Sequence, residues 1–194
     1  MALILVTGGA RSGKSSWAEQ QAADLVKENR GKVYYLATAE IRDMEMRLRV
    51  AQHRKRRPRS WKTIEAPRSI AAQILRRVRK IQANSIFVLD CVTLLVSNVM
   101  TREEASTDTE KAEQTVRSEL RALLLLLRDA TIIMVTNELG AGIVPDNELA
   151  RNYRDVVGRI NQWLASQADQ VWLVASGMAL PMHELATRVK SDEE

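Results

Sequence analysis

The sequence is poor in cysteine, histidine and aromatic residues. It has one cysteine, Cys91, and two histidines, and aromatic residues make up 4% of its 194 residues. A single cysteine excludes an internal disulfide and any zinc site built from several cysteines, and it is typical of a protein from a reducing compartment. The scarcity of aromatic side chains leaves few platforms on which nucleic-acid bases could stack.

Long apolar runs are also missing. The leucine run Leu123–Leu127 is far shorter than the roughly 20 residues that a membrane-spanning helix needs. The opening residues 1–5 lack a basic leader and a cleavage site. We therefore expect a cytoplasmic protein with no membrane span. The length predicts a single domain over residues 1–189, followed by a charged tail, 190–194, that is expected to fray.

The net charge of +5 conceals an uneven distribution. Residues 42–80 contain 14 Lys and Arg against 3 Asp and Glu, which leaves 15 against 21 in the rest of the chain. Nucleic acid, an anionic membrane surface and a polyphosphate are all candidate partners for such a segment. Charge alone does not decide among them.

Alternating apolar runs and helical stretches predict an α/β fold. Five runs of strand length alternate with stretches of helical periodicity, which is typical of a mostly parallel sheet with helices on both faces. One predicted helix follows Pro145, and another runs from a possible capping box at Thr107 and Glu110 to about Arg128. The predicted strands are Leu3–Val6, Val33–Ala37, Ile86–Leu89, Ile132–Val135 and Val171–Ala175.

Small or polar residues follow each predicted strand. In open α/β sheets ligands bind beyond the carboxyl ends of the strands, so we expect the site to be assembled from these residues. They are Thr7-Gly8, Thr38, Asp90, Asn137-Glu138 and Ser176-Gly177.

A phosphate-binding loop follows the first strand. Its glycines let the backbone N–H groups and the next helix N-terminus point at phosphate oxygens. Lys14 would add a positive charge near the β and γ phosphates, and the Ser15 hydroxyl could ligate magnesium. This context predicts a P-loop NTPase-like (RecA-like) fold that binds a nucleoside triphosphate. The loop reads Gly8-Gly9-Ala10-Arg11-Ser12-Gly13-Lys14-Ser15 and matches G-x-x-x-x-G-K-[ST].

Asp90 ends the third predicted strand and is the candidate for the carboxylate on the magnesium side of the site. The alternative interpretation is an ordinary strand-end aspartate that caps the next helix.

His53 lies in the basic segment, directly before Arg54-Lys55-Arg56-Arg57. Ile41, Met44, Leu48 and Ala51 form a modest apolar stripe, and at about 100° per residue His53 would point to the opposite side of that helix. We therefore do not expect His53 in the core. The segment is either a solvated charged face or a second set of cations for a polyphosphate, with His53 as nucleophile or proton carrier. The second histidine, His183, has no motif around it and is interpreted as structural or superficial.

An ordered set of blocks along nearly the whole chain resembles one family, the bifunctional adenosylcobinamide kinase / adenosylcobinamide-phosphate guanylyltransferases of cobalamin biosynthesis. Besides the phosphate loop, the blocks are Tyr35-Leu36-Ala37-Thr38-Ala39, Glu45-Met46, His53, Arg57-Pro58, Trp61, Thr63-x-Glu65, Leu89-Asp90-Cys91-Val92-Thr93, Ser97-Asn98, Val135–Gly140, Gly142–Pro145, Arg154-Asp155, Gly158–Gln162 and Val171–Gly177.

The resemblance implies two reactions. Similar proteins phosphorylate adenosylcobinamide with ATP or GTP and then attach GMP from GTP to the new phosphate, using magnesium. It also implies that His53 carries the covalent GMP and that the usual assembly is a homotrimer. The nucleotide contacts that it implies are Gly8–Ser15, Thr38, Ala39, Glu40, Arg54, Lys55, Arg56, Arg57, Glu65 and Asp90.

Three other functions stay open on sequence. A P-loop kinase of another small metabolite would use Lys14, Ser15 and Asp90 but would not need His53. A RecA-like nucleic-acid-binding ATPase fits a sequence pI of about 9.6, although the aromatic content argues against it. A structural module with a decayed phosphate loop conflicts with the intact motif.

Overall fold

The computed structural model describes residues 2–41, 43–101 and 108–187. The predicted tail 190–194 and the capping residue Thr107 lie outside these ranges. The strands are β1 (Ala2–Thr7), β2 (Val33–Ala37), β3 (Lys62–Glu65), β4 (Ile86–Asp90), β5 (Thr131–Val135), β6 (Gln170–Ala175) and β7 (Met178–Pro181). The helices are α1 (Lys14–Asn29), α2 (Met44–Arg56), α3 (Ile70–Arg77), α4 (Val92–Met100), α5 (Thr109–Leu126), α6 (Glu148–Gln167) and α7 (Met182–Leu185).

All seven strands form one sheet in the order β3-β2-β4-β5-β1-β6-β7. Every pairing is parallel except that of β6 with β7. The five strands and the two helices predicted from sequence are present, and the mostly parallel α/β fold is confirmed. The strands β3 and β7 were not predicted because each is only four residues long.

Successive residues of each strand point to opposite faces of the sheet, so each face has its own hydrophobic core. One face packs against α3, α4, α5 and α6, with Leu3, Leu36 and Leu89 among its buried strand residues. The other face is covered by α1, whose Ala18 and Ala22 pack against the intervening strand residues. The small side chains let the phosphate-loop helix approach the sheet closely, which fixes the position of the loop.

Helix α2 has no fully buried side chain among its described residues. Met44 is 66% exposed and Leu48 is 58% exposed, so the predicted stripe does not pack against the rest of the chain. His53 is half-buried, which agrees with its predicted place outside the core. Asp43 caps the start of this helix by accepting a hydrogen bond from the Met46 N–H at 2.7 Å.

Side-chain caps also fix the starts of the two longest helices. Asp108 accepts from the Lys111 N–H at 2.9 Å and Asn147 accepts from the Ala150 N–H at 3.1 Å. The N-cap of α5 is therefore Asp108, one residue beyond the predicted Thr107. In the described part of the chain, no helix is long and apolar enough to cross a membrane.

Gly31, between α1 and β2, is held against the start of β4. A Cβ atom at this position would lie 1.8 Å from the Asn84 carbonyl oxygen. The Ile86 N–H donates to the Lys32 carbonyl at 2.9 Å beside this contact, so the backbone has little room to retreat. By contrast, a Cβ at Gly158 in α6 would meet no heavy atom within 4 Å.

These two glycines yield a matched stability test. We expect Gly31→Ala to lower the free energy of unfolding by about 1–3 kcal/mol, because the methyl group overpacks against backbone. Gly158→Ala should raise it by about 0.5–1 kcal/mol, because alanine is favoured in a helix interior. Urea unfolding of the two variants beside the wild type measures both changes. A wild-type midpoint for Gly31→Ala would contradict the close approach.

Candidate active site

Backbone hydrogen bonds join the carboxyl ends of the strands around the phosphate loop. The Glu138 N–H donates to the Gly8 carbonyl at 2.9 Å, and the Gly177 N–H donates to the Ser12 carbonyl at 2.9 Å. The Thr38 N–H donates to the Asp90 carbonyl at 3.2 Å. The polar residues that end five strands therefore meet at one edge of the sheet, as predicted.

The phosphate loop needs its glycines for two different reasons. A Cβ at Gly8 would lie 2.1 Å from the Val174 carbonyl oxygen, and the residue has a φ of 149°. Gly13 has a φ of 105° and begins α1 without a side-chain cap. Because no side chain caps this helix, the N–H groups of its first turn suit a phosphate.

Lys14 is almost fully buried beneath the loop. Its Nζ donates to the Gly9 carbonyl and lies 3.4 Å from Ser12 Oγ. Ser15, the next residue, is half-buried on the first turn of α1. The ammonium and the hydroxyl thus lie at the start of the helix, where the motif predicts them.

Asp90 accepts a 2.5 Å hydrogen bond from the Tyr35 hydroxyl through its Oδ2 atom. Burial and the nearby Asp90 carboxylate raise the pKa of Tyr35 well above its ordinary value, so Tyr35 stays a neutral donor. The N-cap of α4 is Cys91, and that helix has no side-chain cap hydrogen bond. The structure therefore does not support the alternative interpretation of Asp90 as a helix cap.

Thr38 forms a clamp between β2 and β4. Its hydroxyl donates to the Cys91 carbonyl at 2.8 Å and accepts from the Cys91 N–H at 2.7 Å. Burial and the neighbouring Asp90 carboxylate raise the pKa of the Cys91 thiol to about 11. Cys91 is therefore a structural thiol. The two hydrogen bonds of Thr38 connect the end of β2 to the residue that follows β4.

The end of α2 reaches the phosphate-loop helix of the same chain. Arg56 Nη2 lies 3.1 Å from His53 Nδ1, and Arg56 Nη1 lies 3.5 Å from Ser16 Oγ in the first turn of α1. One guanidinium group therefore connects the predicted nucleophile to the predicted phosphate site.

A cavity of about 280 Å³ lies between the ends of β2 and β3 and helix α2. Arg54 Nη2 and Glu65 Oε1 form an exposed ion pair at 2.6 Å on its wall. Arg68 Nε lies 3.9 Å from Glu40 Oε1 beside it. Its lining residues include Ala39, Glu40, Arg54, Arg57, Thr63 and Glu65.

Arg57 points inward, unlike its neighbours in the basic segment. Its side chain is 6% exposed, against 52% for Arg54. Arg57 Nε lies 3.8 Å from Glu19 Oε1 on α1. Burial raises the pKa of Glu19 above its ordinary value, although Arg56 and Arg57 act in the opposite direction. Lys55, in contrast, is exposed.

The sequence analysis did not assign Glu19, Tyr35 or Ser16 to the site. Tyr35 belongs to an otherwise apolar strand, and Glu19 follows the phosphate-loop motif on α1, so only a polar group among buried neighbours could have indicated these two residues. His183 is structural, as predicted, because its Nδ1 atom lies 3.1 Å from the Val171 carbonyl oxygen and its ring packs 5.5 Å from that of Trp172.

Comparison with known proteins gives a consistent result. Residues 4–182 match the family model described as cobinamide kinase / cobinamide phosphate guanyltransferase. A bifunctional adenosylcobalamin biosynthesis protein CobU from Escherichia coli is 40% identical over 92% of this chain and 98% of its own length. The CobU protein of Salmonella typhimurium is 39% identical over the same shares. The CobP protein of Pseudomonas aeruginosa is 37% identical over 92% of this chain and 95% of its own length.

Among solved structures, a KaiC-like protein from Pyrococcus horikoshii has 17% sequence identity and a TM-score of 0.46 over 89% of this chain and 70% of that chain. The family match covers almost the whole described sheet and includes the phosphate loop, His53 and Asp90. This chain therefore belongs to the cobinamide kinase / cobinamide phosphate guanyltransferase family.

Proposed function

We propose that one domain, residues 1–189, phosphorylates adenosylcobinamide with ATP or GTP and then transfers GMP from GTP to the new phosphate. The observation that carries this proposal is the double contact of Arg56 with His53 and Ser16. It brings a candidate covalent nucleophile to the first turn of a phosphate-loop helix. A kinase that only moves a γ-phosphate would need no such histidine.

The phosphate loop would hold the triphosphate for both reactions. Residues Gly8, Gly9, Ala10, Arg11, Ser12 and Gly13 supply the backbone N–H groups, and Lys14 supplies a fixed positive charge. Since Lys14 Nζ already donates within the loop, its charge is directed to the place where the phosphates would bind.

Magnesium fits the residues at this end of the sheet. Asp90 is half-buried, and its Oδ1 atom remains for a cation while Oδ2 accepts from Tyr35. Within residues 2–41, 43–101 and 108–187, no group of three or more His, Cys, Asp or Glu could hold a metal by itself. Magnesium is usually held by one or two protein ligands together with substrate phosphates. Ser15 and Asp90 would hold it here, and it would neutralise charge on the transferring phosphoryl group.

The cavity beside α2 suits the rest of the guanine nucleotide. Ala39 and Glu40, which directly follow Thr38 in the chain, line this cavity. Arg54 and Glu65 form an ion pair on its wall. A carboxylate can accept the two adjacent N–H groups of a guanine base, and an arginine can bind phosphate. The exposed Lys55 and Arg56 would add positive charge on the same side.

His53 would attack the α-phosphorus of GTP. A nitrogen–phosphorus bond forms, the bond between the α-phosphorus and the bridging oxygen breaks, and pyrophosphate leaves. A phosphate oxygen of adenosylcobinamide phosphate then attacks the same phosphorus, and the histidine is released. A neutral imidazole has a lone pair on one ring nitrogen for this attack.

The basic segment is thereby assigned to a polyphosphate rather than to nucleic acid. We place the reaction in the cytoplasm, which the buried free thiol of Cys91 supports. We further propose a homotrimer. Exposed apolar side chains on α2 and on the loop after β5 support an assembly, because burial against another subunit would remove their apolar surface from water.

Substitution of His53 separates the two activities. With GTP labelled at the α-phosphorus, the wild type should retain label through an acid-labile, base-stable bond, and His53→Ala should retain none. The variant should keep appreciable kinase activity, because the substrate hydroxyl attacks the γ-phosphate directly. Lys14→Ala is the contrasting variant and should lose about tenfold or more in both activities. Chromatography of the corrinoid products measures each step.

Two outcomes would contradict this assignment. If His53→Ala still retains label, another residue is the nucleophile. If the label maps to His183, then His183 is that nucleophile. A wild type that forms no product from adenosylcobinamide and GTP would contradict the proposed function as a whole.

Asp90→Asn tests the magnesium site. The amide can still accept from the Tyr35 hydroxyl, so the melting temperature should stay near that of the wild type. Both activities should fall by about tenfold or more, because charge at the metal side is lost. Excess magnesium should restore part of the rate. A large fall in melting temperature with unchanged nucleotide affinity would instead give Asp90 a structural role.

Light scattering tests the assembly. The wild type should have three times the subunit mass. Leu48→Glu on α2 should reduce that mass if the exposed stripe is covered in the trimer, because a carboxylate is costly to bury. Leu75→Glu is the matched control, since Leu75 is 63% exposed on α3. A monomeric wild type at micromolar concentration would refute the proposal.

A further inference from the structure

Tyr35 is a buried phenol that contacts two polar groups of the candidate site. Its side chain lies on the sheet face that α1 covers, among apolar residues of β1, β4 and β5. A buried hydroxyl is costly unless it has a hydrogen-bond partner, and phenylalanine would fill the same space without that cost. The hydroxyl of Tyr35 therefore calls for an explanation beyond packing.

The register of the sheet brings Tyr35 between these two groups. Side chains two residues apart on a strand point to the same face, so Tyr35 and Ala37 share one face of β2. Ala37 is the register partner of Asp90 on β4, and Tyr35 is the register partner of Thr63 on β3. Because β2 lies between β3 and β4, the Tyr35 ring has the Asp90 carboxylate on one side and Thr63 on the other.

The hydroxyl contact fixes the direction of the Asp90 carboxylate. Tyr35 donates to Asp90 Oδ2 at 2.5 Å, and a hydrogen bond to a charged acceptor is stronger than one between neutral groups. Rotation of the carboxylate would break this bond, so the Oδ1 atom keeps one orientation. Carboxylates that ligate metals are commonly oriented by such a hydrogen bond. The Tyr35 hydroxyl would thus act on the proposed magnesium ligand without touching the metal.

The ring contact is with the guanidinium of Arg57, whose carbon lies 3.6 Å from the centroid of the Tyr35 ring. Arg57 Nε donates to the His53 carbonyl at 3.1 Å and Nη1 donates to Thr63 Oγ1 at 3.2 Å, whereas no described residue accepts from Nη2. Arg57 also lines the cavity assigned to the nucleotide. A planar guanidinium can stack on a ring and still donate in its own plane. The stacked Arg57 therefore keeps N–H groups for a bound nucleotide.

We infer that Tyr35 is a positioning residue for two ligands of the site. Its hydroxyl fixes Asp90 for magnesium, and its ring supports Arg57 as a contact to the nucleotide. This inference rests on the proposed function, which assigns both ligands to this end of the sheet. The two contacts use different parts of one side chain, so substitution can remove them separately.

Metal binding tests the hydroxyl. The probe is Mn²⁺, titrated into protein saturated with a GTP analogue that has a methylene bridge between the α- and β-phosphorus and cannot release pyrophosphate. Electron paramagnetic resonance measures the free Mn²⁺. Tyr35→Phe should raise the dissociation constant for Mn²⁺ by about tenfold or more, because the group that orients a metal ligand is lost. The affinity for the analogue in EDTA should change by no more than about twofold, because the ring beneath Arg57 remains.

Fluorination tests the ring. Phenylalanine with five ring fluorines, incorporated at position 35, has nearly the shape of the ring in Tyr35→Phe but no longer a negative face. Compared with Tyr35→Phe, it should raise the dissociation constant for the analogue in EDTA by about threefold or more, because the attraction to Arg57 is lost. Isothermal titration calorimetry measures this constant. Both proteins lack the hydroxyl, so their Mn²⁺ affinities should agree.

Double-mutant cycles test whether Tyr35 acts through these two partners. In an Asp90→Asn background, Tyr35→Phe should weaken Mn²⁺ binding no further. In an Arg57→Gln background, the fluorinated ring should bind the analogue as well as the phenylalanine ring does. A further loss in either background would show that Tyr35 acts elsewhere, which would overturn that half of the inference.

Tyr34→Phe is the matched control, because Tyr34 lies on the opposite face of β2 and stacks on Phe87. It should change neither dissociation constant. Wild-type Mn²⁺ affinity in Tyr35→Phe refutes the role of the hydroxyl, and equal analogue affinity of the two ring variants refutes the role of the ring. A lower melting temperature with both constants unchanged would make Tyr35 a packing residue only. A wild-type nucleotide complex that binds no Mn²⁺ refutes the proposed magnesium site itself.

Discussion

The position of β1 between β5 and β6 constrains everything else at this site. Parallel pairing on both sides brings the ends of the three strands to one edge, and Gly8 then lies so close to the Val174 carbonyl that no side chain fits. Hydrogen bonds from Glu138 and Gly177 to the loop complete the frame. The phosphate loop is therefore held by backbone atoms of its neighbours, which helps to preorganise its N–H groups.

Several polar groups below the site are hydrogen-bonded inside the protein. Asn98 donates to the Thr38 carbonyl at 2.8 Å, and Thr136 donates to Asn161 Oδ1 at 2.7 Å. Such buried networks stabilise one arrangement when every member has a partner. These hydrogen bonds connect the ends of β2 and β5 to helices α4 and α6.

The basic helix is held differently from the phosphate loop. Its apolar side chains Met44 and Leu48 are exposed, whereas Val50 lines the cavity, and the buried Arg57 fastens its C-terminal end to α1, β2 and β3. The C-terminal end of α2 thus lies beside the start of α1, where Arg56 contacts both His53 and Ser16.

The sequence by itself determined the five longer strands, the helices after Pro145 and before Arg128, the phosphate loop and the family. These features are local, because strand and helix periodicities and the loop motif each fit within a few residues. Two short strands, the exposure of the α2 stripe and the inward direction of Arg57 were decided only by tertiary structure. The four groups around the Arg57 guanidinium come from α1, α2, β2 and β3. No local pattern encodes such a contact, because a charged side chain is buried only where distant elements together supply its partners.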